Sequence, residues 1–376
     1  MRPCGGSSGH NAREQIAALA MTESTWAEPT ATTTDWLATP FTRHANIEIP
    51  LICGAMYPCS NPELVAAVSE AGAIGIVQPI SLTYVHGHEF RAGLRYIRRL
   101  TSRPIGFNAL IEQSSRRYHE RMVRWVDVAL EEGVRFFVTS LGKPRWVVDR
   151  VRPHGGIVYH DVTERRWAEK GHDAGVDGLI AVNNRAGGHA GPHNAERLLD
   201  DVAGLGLPVV CAGGIGSPAE FVAALRLGYA AAQLGTRFIA TPECKAHERY
   251  KQAILAADES DIVLTERLTG VPVAVIETPY IRRIGTRAGW LARRMLRGHR
   301  SKHLMRTAYA LRSLWQLKRG LTRGDESADY WQAGKSVASI SSELPAGDIV
   351  AVFAAAARSS AANDGRLPAS SDGIRR

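Results

Sequence analysis

Residues 207–238 read LPVVCAGGIGSPAEFVAALRLGYAAAQLGTRF. An apolar run ends in a glycine-rich break. Ser217 and Pro218 then open an amphipathic segment that stops at Gly228, and a second apolar run ends in Gly235 and Thr236. This is a strand, a helix and a strand, with a serine cap, a proline at the first helical position and a glycine stop as punctuation. Both strands are continuous apolar runs rather than alternations, the pattern of a parallel sheet covered on both faces.

Working outward, the same grammar recurs. PLICGAM precedes NPELVAAVSEAG, with a cap at Asn61, Pro62 at the first helical position and a stop at Gly72. AIGIVQP precedes HEFRAGLRYIRRLT, PIGFNAL precedes RRYHERMVRWVDVALEEG, and VRFFVTSL precedes KPRWVVDRVRPHG. GIVYHDV, DGLIAVN and AAQLGTRF each lead into a further helical pattern, making eight units with the one quoted. Eight such units predict an α/β fold, a (β/α)8 TIM barrel with a helical C-terminal extension. An open doubly wound sheet is the alternative if one unit is misread.

The 376 residues divide on this reading into a flexible arm (1–40), a barrel (41–260), a mixed and mostly helical extension packing on it (261–357) and a flexible tail (358–376). Apolar residues at 45% and charged ones at 22% exclude a disordered chain. The N-terminus lacks the order of a secretory signal and no long uncharged apolar run occurs, which predicts a cytoplasmic location. Cys4, Cys53, Cys59, Cys211 and Cys244 are scattered and read as free thiols, with no metal site. Residues 281–323 hold thirteen Lys or Arg and no Asp or Glu. Leu304, Ala308, Leu311 and Trp315 recur there at helical spacing, so an amphipathic helix packing on the barrel is the preferred reading. A membrane-surface or acyl-carrier contact through 288–320 is the alternative, and no nucleic acid partner is expected.

In a barrel of this class the chemistry sits on the loops after the strands, and a phosphate is often held after strands 7 and 8. Gly213, Gly214 and Gly216 let backbone amides approach an anion there, Ser217 and Pro218 open a helix whose dipole favours one, and Gly235 and Thr236 add an amide and a hydroxyl. Plain tight turns are the bland alternative. Arg237 could neutralise charge or serve as a structural ion-pair partner. After strand 6 comes VNNRAGGHAGPH (182–193), where His189 among glycines can act as a general base, or simply cap a turn made by Gly187 and Gly188. Met56, after strand 1, can pack a planar ring, and Asn108 on strand 3 offers an amide that both donates and accepts.

PLICGAM, PIGFNAL, NNRAGGHAG, VVCAGGIGSPAE and QLGTRFIATPEC, in this order and spacing, resemble the nitronate monooxygenase family, also called 2-nitropropane dioxygenases, from about residue 40 to 355. The resemblance implies a TIM barrel binding FMN. Gly54, Ala55, Met56, Asn108, Gly187, Gly188, Ala212, Gly213, Gly214, Gly235 and Thr236 would hold the cofactor, and His189 would be the catalytic base. The implied reaction oxidises an alkyl nitronate or nitroalkane with O2 to a carbonyl compound and nitrite. Sister groups imply one rival, an NAD(P)H-dependent flavin enoyl-ACP or quinone reductase; another, from a different class, is a non-catalytic flavin-binding interaction protein. The chain departs from the common family pattern at Cys53, Arg185, Asp161 and Lys335, all near the expected ring edge or its closing segment.

Overall fold

The computed structural model describes residues 35–112, 115–268, 270–287 and 301–364, without the side chains of 301–311 and 363–364. The N-terminal arm up to residue 34, with Cys4, the basic stretch 288–300 and the tail from 365 lie outside the described residues. Asp35–Ala361 form one compact unit; the other unit, Met1–Thr34 with Ala362–Arg376, lies almost wholly outside the description.

Eight parallel strands close into a barrel in sequence order: β1 (Leu51–Cys53), β2 (Ile74–Val77), β3 (Gly106–Leu110), β4 (Phe136–Ser140), β5 (Ile157–Val162), β6 (Gly178–Val182), β7 (Val209–Ala212) and β8 (Ala231–Leu234). Closure is made by β1 against β8, with Leu51 opposite Ala232 and Cys53 opposite Leu234. The open-sheet alternative is thereby removed.

Side chains alternate along each strand, which separates two cores. Ile52, Ile74, Ile76, Phe136, Val138, Tyr159, Ile180, Val210 and Ala231 fill the barrel interior. Their neighbours, including Leu51, Phe107, Phe137, Val158 and Leu179, pack outward against the helices. Helix α1 (Pro40–Ala45), started by a reciprocal Thr39/Thr42 capping box, plugs the N-terminal end. Its Phe41 meets Phe136 and Tyr159 edge-on at 5.6 and 5.5 Å, and His44 is bonded to the Tyr159 hydroxyl at 3.1 Å. That aromatic packing closes the barrel axis at its N-terminal end, so among the described residues the barrel's mouth is its C-terminal end.

Helices α2 (Pro62–Glu70), α3 (Phe90–Leu100), α4 (Arg116–Glu131), α5 (Arg145–Val151), α6 (Arg165–Asp173), α7 (Ala195–Ala203) and α8 (Pro218–Leu227) follow the first seven strands. After β8 the Thr-Arg-Phe of the expected strand instead forms a short helix, α9 (Thr236–Ile239), and α10 (Glu248–Ala256) completes the ring. The mixed segment beyond it is an antiparallel pair, β9 (Ile262–Thr265) with β10 (Val273–Ile276), then α11 (Pro279–Ile284), α12 (Ser301–Arg323) and α13 (Ala346–Asp364).

α12 is helical, as the spacing predicts, but the expected apolar stripe is misplaced at Trp315, which is 60% exposed beneath Arg319. The buried face runs through Ser313, Gln316, Leu317 and Leu321. Two of those positions are polar because Ser313 and Gln316 reach the hydroxyls of Tyr330 and Tyr280, so hydrophobicity alone misjudges the stripe. Cys53, Cys59, Cys211 and Cys244 are free and buried, as expected. Among the described residues no helix is long and apolar enough to cross a membrane and no cluster of metal-ligating side chains occurs.

Candidate active site

The C-terminal rim is built differently over its two halves. Over β6–β8 it is mostly backbone. The amides of Gly213, Gly214, Gly235 and Thr236 donate to no acceptor among the described residues. Gly213 and Gly214 sit at φ 114° and 77°, which only glycine adopts without strain. The turn is set by Asn183 at the end of β6, fully buried, whose amide donates to the Gly213 carbonyl at 2.9 Å and whose carbonyl accepts from the Arg185 amide at 2.8 Å. Ala212 packs in the barrel interior and its carbonyl accepts from the Asn183 amide, so it forms floor rather than donor.

The start of α8 does not offer the anion site expected there. The Glu220 carboxylate takes the amides of Gly216 and Ser217 at 2.8 and 2.9 Å, together with the hydroxyls of Ser217 and Ser339. A carboxylate already occupies that helix end. Arg237 is buried and turned away, donating to the carbonyls of Ala240 and Ser342, which makes it a structural residue.

The glycines after β6 serve the extension. An added Cβ at Gly187 would stand 2.9 Å from the Gly334 nitrogen, and one at Gly334 only 2.6 Å from the Gly187 nitrogen. Two backbones therefore touch where neither tolerates a side chain. Gly188 exchanges both backbone bonds with Ala274 of β10, and the Lys335 and Gly334 amides donate to the Arg185 carbonyl and the Thr236 hydroxyl. Segment 332–335 thus braces loop 6 against loop 8. Arg185 lies along Gly214, with its Nε 2.6 Å from where a Cβ would be, and it shares Glu259 with Lys335 at 2.8 and 3.1 Å.

His189 stands exposed on this loop, and its ring makes no hydrogen bond among the described residues. Desolvation by the surrounding protein lowers its pKa below that of an ordinary histidine. Its neutral form is thereby favoured. Asn194 caps α7, its side chain accepting from the Arg197 amide at 3.0 Å.

Over β1–β5 the rim is made of side chains. Gly54 donates to Leu234, and Met56 lies beside Gly235, with its Sδ 3.5 Å from an added Cβ there, so the ends of β1 and β8 meet. Ala55 packs on the interior cluster. Asn108 shares the inward side with Val138, is 8% exposed, and its amide has no partner among the described residues.

Two further inward groups escape the sequence reading, Gln78, which follows β2 and accepts from the Ser81 amide at 2.6 Å, and Gln233 on β8 opposite Ile52; Asp161, singled out there only as a departure from the family pattern, joins them on β5 opposite Ile180. Their signal lay in strand parity, each being two residues beyond an interior apolar position. Asp161 keeps Oδ1 sealed without a hydrogen-bond partner, and burial raises its pKa to about 7. Its neighbour His160 faces outward over Gly171 and is bonded to Thr139 at 2.9 Å; burial drives its pKa down to about 4, so it is a core histidine.

A model of the nitronate monooxygenase family matches residues 38–355. Over 258 residues the chain is 30% identical to the (3aS,4S,5R,7aS)-5-hydroxy-7a-methyl-1-oxo-octahydro-1H-indene-4-carboxyl-CoA dehydrogenase of Mycobacterium tuberculosis, covering 67% of this chain and 70% of that protein. It is 28% identical over 290 residues to a probable nitronate monooxygenase of Staphylococcus saprophyticus, covering 66% and 81%. Among solved structures it resembles FabK from Thermotoga maritima, with a TM-score of 0.71 at 27% identity over 88% of this chain and 99% of that one. Nitroalkane oxidase from Streptomyces ansochromogenes gives 0.67 at 25% identity over 85% and 99%.

Proposed function

Since the chain belongs to the nitronate monooxygenase family, an oxidoreductase family, we propose that it holds FMN at the rim above β7 and β8 and oxidises a nitroalkane or its nitronate with O2 to a carbonyl compound and nitrite. Membership of an enzyme family removes the non-catalytic binding reading. The observation that carries the proposal is the His189 ring, without a hydrogen-bond partner among the described residues, on the same rim as four unspent backbone amides, at Gly213, Gly214, Gly235 and Thr236.

The residues present fit the cofactor. The four amides suit its phosphate, and the Arg185 guanidinium along Gly214 adds positive charge beside them. Gly54, Ala55 and Met56 would lie under the ring, with Asn108 at its edge. When bound, FMN supplies a two-electron acceptor that O2 can reoxidise.

His189, neutral at working pH, takes the α-proton from the nitroalkane carbon, leaving the nitronate. Asn108 can donate to an oxygen of the nitro group and hold the carbon toward the cofactor. The braced loops 6 and 8 keep the base fixed while the proton moves.

A second reading, oxidation or reduction of an acyl thioester with or without NAD(P)H, is favoured by the 30% identity to a carboxyl-CoA dehydrogenase. The test is anaerobic mixing of the purified protein with nitroethane, its preformed nitronate, NADH, NADPH and an acyl-CoA thioester in turn. Bleaching of the bound flavin by the nitro compounds supports the first reading. Bleaching only by NAD(P)H or the thioester replaces it with the second.

A further inference from the structure

Asp161 is the polar group the proposed reaction does not use. It lies on the inward side of β5, where Tyr159 belongs to the interior core and Val158 and Val162 to the outer one. Its register partner, Ile180, is also interior. Tyr159 sits at the plugged end, so Asp161, two residues on, stands toward the open end, in the same inward set as Asn108 and Gln233. Oδ1 is sealed and bonded to nothing among the described residues, although a carboxylate there could accept several hydrogen bonds.

Among the described residues no cation compensates it. The inward neighbours are uncharged: Asn108 on β3, Ser140 on β4, Ile180 on β6, Gln78 after β2 and Gln233 on β8. On its own strand His160 faces the helix layer and Tyr159 the sealed end. Above β6, Arg185 is tied to Glu259, as is Lys335 from the extension, and His189 is neutral. A half-buried carboxyl with one sealed oxygen in such surroundings has two states of very different character: a neutral acid that donates a hydrogen bond, and an anion without a partner for that oxygen.

We propose that Asp161 is a specificity-determining residue of the rim, which as a neutral acid admits an anionic, two-oxygen ligand such as a nitronate and as a carboxylate repels it. The inference rests on the proposed nitroalkane reading only for the identity of that ligand. Burial places the change of state near pH 7, so it falls in the working range. The expected division is that neutral nitroalkane is accepted on both sides of pH 7, and preformed nitronate mainly below it.

The test uses propionate, an unreactive planar anion with the shape of a nitronate, titrated calorimetrically into the FMN-loaded protein between pH 7 and 9, where His189 is neutral throughout. For the wild type the dissociation constant should rise about tenfold per pH unit, because binding takes up one proton. Asp161→Asn, checked for unchanged flavin content, should show no such slope, and Asp161→Ser serves if the amide variant misfolds. In parallel, carbon-13 NMR of labelled aspartate, assigned by loss of the signal in Asp161→Asn, should show a carboxyl titrating near pH 7 that moves upward with propionate. A pH-independent dissociation constant in both proteins, or a midpoint near 4, overturns the proposal. Neither readout requires turnover, and the NMR titration also runs on flavin-free protein, so failure of the nitroalkane reading is distinguishable from failure of this one.

Discussion

The rim over β6–β8 and the rim over β1–β5 solve different problems. The first presents backbone, with amides at Gly213, Gly214, Gly235 and Thr236 held open by Asn183 and braced by segment 332–335. The second presents side chains with unspent bonding capacity, chiefly Asn108 and Asp161. Backbone amides cannot be changed by a point substitution except through sterics, whereas side chains can be swapped freely. On the proposed function, the constant part of the chemistry, holding a phosphate, falls to one half, and selection of what is oxidised to the other. Substitutions on the first half should therefore cost cofactor, and those on the second should change substrate.

The largest expected effect is Gly214→Asp. It puts a carboxylate beside the phosphate position at a φ of 77° and against Arg185, and the purified protein should contain essentially no FMN by absorbance. Normal flavin content would show that the open amides do not hold the phosphate. Next is His189→Ala, on the glycine loop but aimed at substrate. Turnover of neutral nitroethane should fall by about 10²–10⁴, with flavin retained and preformed nitronate much less affected. Since the His189 pKa lies below 6.5, the wild-type rate on nitroethane should hold down to about that pH and decline only as the ring gains its proton.

Gly334→Ala is smaller and breaks the brace instead of the site. Its Cβ would lie 2.6 Å from the Gly187 nitrogen, so loop 6 must shift, and thermal unfolding should show a loss of about 1–3 kcal/mol with weaker flavin retention. The smallest is Glu259→Gln, which frees Arg185 and Lys335. These pairs are more than a third exposed, so stability should change by less than about 1 kcal/mol while FMN affinity rises. Weaker FMN binding would place those cations away from the phosphate.

Much of this was legible because each strand of a parallel barrel announces itself as an apolar run followed by a capped helix. The 207–238 stretch alone carries one full unit, and its glycines lie at the rim end where ligands enter. What was not legible was how groups spend their bonds. Nothing local in SPAE says that Glu220 fills its own helix end instead of leaving it to an anion, since Ser339 comes from 119 residues away to join it. The role of Gly187 likewise depends on Gly334, and the burial of Ser313 and Gln316 on Tyr330 and Tyr280. Asp161 stood out only as a departure from the family pattern; strand parity from Tyr159 also places it inward, where a carboxyl is unexpected.

The central claim is that FMN sits over the backbone half of the rim with His189 as its substrate's base. Anaerobic stopped-flow mixing with nitroethane tests it most directly, following the flavin absorbance in the wild type and in His189→Ala. The account predicts bleaching in the wild type, near loss of bleaching in the variant, and its return when the variant receives preformed nitronate. A protein that carries no flavin, or one whose bleaching by nitroethane is indifferent to His189→Ala, would contradict it.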